Sequence, residues 1–104
     1  MVGYISVVKF ETKPESTEEY VRIEQETSTQ KILGLRRRVV IQTGENSFIG
    51  LIEYEEISSV VEAQDDLVAH LDRFRHCLVE LDDNGNVTEA VSGTIIYDEN
   101  NPSG

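Results

Sequence analysis

The chain reads as one α+β domain, a four-stranded antiparallel sheet with two helices on one face. Three observations carry this reading. Four short apolar stretches bounded by turn signals read as strands, helical spacing runs over two longer ones, and the elements follow in the order β-α-β-β-α-β. Each β-α-β unit takes a right-handed crossover, which puts both helices on the same side and orders the strands 4-1-3-2, the ferredoxin-like arrangement. The 104 residues are 38% hydrophobic, enough for one core and too few for two domains.

The first strand spans residues 3–11, with Tyr4, Ser6, Val8 and Phe10 on one side and Ile5, Val7 and Lys9 on the other. Lys13-Pro14-Glu15 interrupts it. Ser16-Thr17-Glu18-Glu19 has the form of a capping box, with Ser16 as cap and Glu19 reaching back, and predicts a helix over residues 17–31, ahead of Gly34. Strands at 35–42 and 47–54 are joined by Thr43-Gly44-Glu45-Asn46 as a hairpin, in which Arg37 or Arg38 falls opposite Glu53 and an ion pair is expected. Ser58 or Ser59 caps a second helix that runs to Leu81, with Val60, Leu67, Leu71, Phe74, Leu78 and Leu81 as its apolar stripe. After the turn at residues 82–86, the last strand spans 87–97. The domain is placed at residues 1–98, and residues 99–104 read as a flexible polar tail.

The strands are apolar on both faces, while two helices cover one. A sheet open to water on one side should alternate cleanly, so the second face calls for a cover, and a second copy of the same sheet provides one. The chain is therefore expected to be a homodimer through that face.

Nine basic against 20 acidic residues give a formal charge of −11, which excludes nucleic acid and anionic membranes as general partners. No apolar run approaches the roughly 20 residues of a membrane span, and Met-Val-Gly-Tyr has no basic stretch leading into an apolar one, so neither a span nor a signal peptide is expected and the cytoplasm is the expected location. The single cysteine excludes an internal disulfide framework.

Candidate chemistry gathers at few positions. The inward stripe of the first helix, Tyr20, Ile23, Glu24, Thr27 and Lys31, is unusually polar. Tyr20, Glu24 and Thr27 either face a ligand beneath the helix or sit at a wet rim. On the second helix, His70 and Cys77 flank the apolar stripe while His76 projects almost opposite, into water. His70 is the candidate general base, set against a satisfied boundary histidine. Cys77 is a candidate pocket residue, set against a small half-buried hydrophobe, and two turns from His70 it makes neither a nucleophile pair nor a metal site. In Arg36-Arg37-Arg38, Arg36 and Arg38 share one strand face and Arg37 takes the other; one face binds a carboxylate, or all three pair with nearby acids such as Glu53 and Glu55. No residue set calls for a metal or a cofactor.

Element order, two-faced strands and a long second helix ahead of the late strand Ser92-Gly93-Thr94-Ile95-Ile96-Tyr97 together resemble the dimeric α/β-barrel superfamily, of the antibiotic-biosynthesis monooxygenase-like and stress-responsive barrel type, over residues 3–98. The resemblance implies two paired sheets and a pocket between sheet and helices in each subunit. It rests on no diagnostic motif. The chain has no Trp, whereas haem-degrading members use an Asn-Trp-His set and the quinol oxygenases commonly use a Trp. Two functions follow as expectations. One is binding of an apolar or aromatic small molecule, carboxylate-bearing or not, between sheet and helices. The other is a cofactor-independent monooxygenase, isomerase or cyclase with His70 as base.

Overall fold

The computed structural model describes residues 3–29 and 31–99. Its order is β1 (Tyr4–Glu11), α1 (Thr17–Glu26), β2 (Leu35–Gln42), β3 (Ser47–Tyr54), α2 (Ser58–Asp72) and β4 (Glu89–Thr94), with single 3-10 turns at Pro14–Ser16 and Arg75–Cys77. The sheet has the order β2-β3-β1-β4 and every pairing is antiparallel, the predicted topology read from its other edge. Central β1 meets β3 from Tyr4 opposite Tyr54 to Glu11 opposite Ser47, and meets β4 from Tyr4 opposite Thr94 to Lys9 opposite Glu89.

The core lies between the sheet and the helices. Phe10, Tyr20, Phe48, Phe74, Cys77, Leu78 and Val87 form its buried cluster. The Phe10 and Phe48 rings stack at 5.6 Å, and the edge of Tyr20 meets Phe48 and Phe74 at 4.9 Å each. Such aromatic pairs contribute about 0.5–1.5 kcal/mol each beyond the area they bury. On the opposite face, Ile5, Val7, Val39, Ile49 and Leu51 are half-buried and Ile41 and Val91 are exposed.

Several local expectations are corrected. α1 stops at Glu26 rather than Lys31, and Thr27 is already extended (φ −112°, ψ 116°). The run Thr27-Ser28-Thr29 supplies the reason, because short hydroxyl side chains compete with the helix for backbone hydrogen bonds. The capping box does not form: Ser16 makes no side-chain cap, and Glu19 turns to His76 instead. The Thr17 hydroxyl ties this corner, donating to Asn46 Oδ1 at 2.8 Å and lying 2.7 Å from the Thr12 hydroxyl.

α2 ends at Asp72 rather than Leu81. Beyond the 3-10 turn the chain pairs with the end of β1: the Lys13 N–H donates to the Cys77 carbonyl at 2.8 Å and the Val79 N–H to the Glu11 carbonyl at 2.9 Å. Phe74 and Leu78 still enter the core, so the period is right for packing while the backbone has left the helix. β4 stops at Thr94 rather than Tyr97; the Ile95 N–H reaches the Gly3 carbonyl, and Ile96 and Tyr97 are exposed. Of the predicted tail, residues 100–104 lie outside the described residues.

β2 carries a bulge. Leu35 opposes Tyr54 and Arg37 opposes Glu53, so Arg36 is the extra residue, and the simple alternation of Arg36 with Arg38 does not hold there. Arg37 takes the place opposite Glu53, but among the described residues the two make no ion pair.

Candidate functional site

A cleft of about 380 Å³ lies between the inner face of the sheet and α2. Its apolar walls include Val8, Phe10, Ile52, Leu67, Leu71 and Phe74, while Gly50 and Ala90 leave its floor low. Strand alternation sends the even-numbered residues of β1 and β3 to this side, and the α2 stripe faces them. A second hollow of about 290 Å³, at the ends of β1 and β3, is rimmed by Lys9, Glu11, Thr43 and Glu89 and holds neither histidine nor arginine.

Arg38 and His70 line the main cleft, and both are held from behind by Glu24. Arg38 Nη1 donates to Glu24 Oε1 at 2.5 Å, His70 Nε2 lies 2.9 Å from the same oxygen, and the Tyr20 hydroxyl donates to Oε2. The carboxylate joins α1 to β2 and α2. It lies one turn beyond Tyr20 on α1, which brings the phenol and the carboxylate together. Side-chain exposure is 12% for Glu24, 15% for Arg38 and 6% for His70, so the network is largely closed to solvent.

Burial by itself would raise the Glu24 pKa. The hydrogen bonds from His70, Arg38 and Tyr20, with the charge of Arg38, outweigh it and hold the carboxyl at about 2. Tyr20 is pushed well above the usual phenol range, first by burial and then by its bond to Glu24. An ionised Glu24 can only accept, so the proton of the His70 contact resides on Nε2, and Nδ1 is left as the acceptor nitrogen of the neutral ring. Phe74 packs edge-on against His70 at 5.4 Å and fixes its plane from the core side.

The other residues singled out in the sequence fall elsewhere. Tyr20 and Glu24 stand behind the cleft wall rather than on it, and Thr27, Arg36 and Cys77 do not line it. Thr27 lies past the end of α1, and Arg36 is exposed at the bulge beside Gly3. Cys77 is fully buried in the aromatic core; burial first, then the charge of Glu19, raises its pKa. His76 does not stand alone in water but lies 2.7 Å from Glu19 Oε2. Among the described residues, Glu19, His76 and Cys77 are the one His/Cys/acid group whose donor atoms converge closely enough for a metal, and they lie apart from the cleft.

Fold and cleft together define a ferredoxin-like α+β protein with a cleft between its sheet and its second helix. No protein-family model matches the chain, and no curated protein matches it in sequence. Solved structures do match in fold. A protein of unknown function from Nitrosomonas europaea superposes with a TM-score of 0.76 at 11% identity, over 97% of this chain and 96% of the other. A candidate antibiotic biosynthesis monooxygenase from the same organism gives 0.74 at 15% identity, over 91% of each chain. A dimeric ferredoxin-like protein from an uncultured marine organism gives 0.72 at 10% identity, over 97% and 94%. The resemblance read from element order and two-faced strands therefore holds at the level of the fold. No helix among the described residues is long and apolar enough to cross a membrane.

Proposed function

We propose that the protein is a dimeric α/β-barrel binding protein. It takes an apolar or aromatic small molecule into the cleft under α2, with a carboxylate or other hydrogen-bond acceptor of the ligand turned toward Arg38. The observation that carries this reading is the cleft itself: about 380 Å³, walled largely by aliphatic and aromatic side chains, with Arg38 and His70 among its polar lining groups. That is the size and chemistry of a small-ligand site. Glu24 occupies one Arg38 nitrogen and leaves further guanidinium donors for a ligand. The net charge of −11 supports a small-molecule partner over nucleic acid, and the free thiol of Cys77 fits a reducing compartment such as the cytoplasm.

The dimer reading rests on the half-buried Ile5, Val7, Val39, Ile49 and Leu51 on the face away from the helices, and on the dimeric neighbour of the same fold. Calorimetric titration with 1-naphthoate, paired with native mass spectrometry of the protein as purified, tests the cleft. One naphthoate per chain is expected, with binding lost in a folded Leu67→Trp variant that fills the space. Binding unchanged in that variant would place the ligand elsewhere and overturn the reading.

A second reading is favoured by one observation. An ionised Glu24 held 2.9 Å from His70 Nε2 fixes the orientation and tautomer of the ring, as a base in a cofactor-independent monooxygenase, isomerase or cyclase requires. His70 would remove a proton from a ligand in the cleft, with Arg38 beside the anion formed. Substrate turnover abolished by His70→Ala, with naphthoate affinity retained, would favour this reading over binding alone.

A further inference from the structure

Away from the cleft, the fold brings three different metal-ligand types to one place. Glu19 lies in the first turn of α1, and His76 and Cys77 close the 3-10 turn that follows α2. His76 Nε2 and Glu19 Oε2 are 2.7 Å apart, and one donor atom each from Glu19, His76 and Cys77 lies within 4.8 Å of the other two.

Carboxylate oxygen, imidazole nitrogen and thiolate sulfur form a donor set of borderline softness, suited to zinc and its neighbours rather than to calcium or magnesium. Bonds of about 2.0–2.3 Å in tetrahedral geometry set donor separations of roughly 3.3–3.6 Å. The three atoms lie within 4.8 Å of one another, and the His76–Glu19 contact of 2.7 Å opens by less than about 1 Å to reach that spacing. The charges also suit a divalent ion, since one thiolate and one carboxylate neutralise it. Coordination releases the thiol proton of Cys77. Glu19 is half-buried and His76 exposed, so an ion can reach the trio from solvent.

We propose that Glu19, His76 and Cys77 form a three-ligand site for a zinc-class divalent ion, with a fourth position open to water, linking α1 to the turn that ends α2. Neither the cleft nor its ligand enters this inference, so the site stands or falls independently of the binding function.

The test is titration of chelator-treated protein with Co²⁺ alone. The expected result is a thiolate-to-cobalt charge-transfer band in the near ultraviolet that saturates at one ion per chain and is displaced by Zn²⁺. Cys77→Ser should lose the band. His76→Ala, at an exposed position that tolerates truncation, and Glu19→Gln should keep the fold by circular dichroism and weaken Co²⁺ binding tenfold or more. Zn²⁺ should raise the melting temperature of the wild type and leave that of His76→Ala unchanged. Absence of the band in the wild type would overturn the proposal, and so would a band whose affinity is indifferent to both His76→Ala and Glu19→Gln.

Discussion

A carboxylate as enclosed as Glu24 ordinarily titrates high, because burial penalises its charge. Here three donors converge on it, and its pKa falls to about 2. The folded value is thus depressed below the unfolded one. The resulting stability is fully present above the ordinary carboxylate pKa and is lost as pH falls from about 5 toward 2. Glu24→Gln should remove up to about 3 kcal/mol at neutral pH. The difference between wild type and variant should shrink across that acid window in urea unfolding curves; a difference independent of pH would refute the assignment. Tyr20→Phe keeps the ring in the core and deletes one donor to the charged group, a loss of about 1.5–3 kcal/mol in the same measurement. Much of this network was legible in the sequence: Tyr20 and Glu24 lie on the inward stripe of α1, and His70 beside the apolar stripe of α2. The choice among Arg36, Arg37 and Arg38 was not, because a bulge at Arg36 resets the alternation and no local signal marks it.

At the level of elements, type, order and the bounds of β2 and β3 were readable, whereas the C-terminal ends of both helices and the bounds of β4 were not. Propensity and period describe a segment by itself, whereas both helices end where something else competes. Thr27-Ser28-Thr29 ends α1 through side chains that prefer turns. The pairing of Val79 with Glu11 draws the chain out of α2, although the cluster His70, Arg73, Arg75 and His76 marks a helix C-terminus in the sequence. Continuing the helix past Asp72 sent His76 into water, which hid its meeting with Glu19. The turn into β2 depends on Gly34, at φ +84°, where an added Cβ would come within 2.7 Å of Ser59 Cβ. Gly34→Ala should therefore cost roughly 1–3 kcal/mol. Gly93→Ala, in β4 with nothing within 4 Å, should change stability by less than about 0.5 kcal/mol. Thermal melts of the pair check this contrast, and equal shifts would contradict it.

For the whole molecule, the two-faced strands place a cleft on one side of the sheet and an apolar surface on the other. The sequence carried that division through alternation, which survives wherever the strands stay regular. Leu51→Asp, at the middle of the second face, is expected to convert a dimer into a folded monomer by light scattering; a dimer that persists would place the interface elsewhere. The cleft supplies the sharper test. Naphthoate binding should fall about tenfold or more in Arg38→Met, the loss expected for one hydrogen bond to a charged group. Binding of neutral 1-naphthalenemethanol, seated by the hydrocarbon walls alone, should hold constant. Equal affinities of wild type and Arg38→Met for naphthoate would contradict the proposal that Arg38 reads the polar end of the ligand in this cleft.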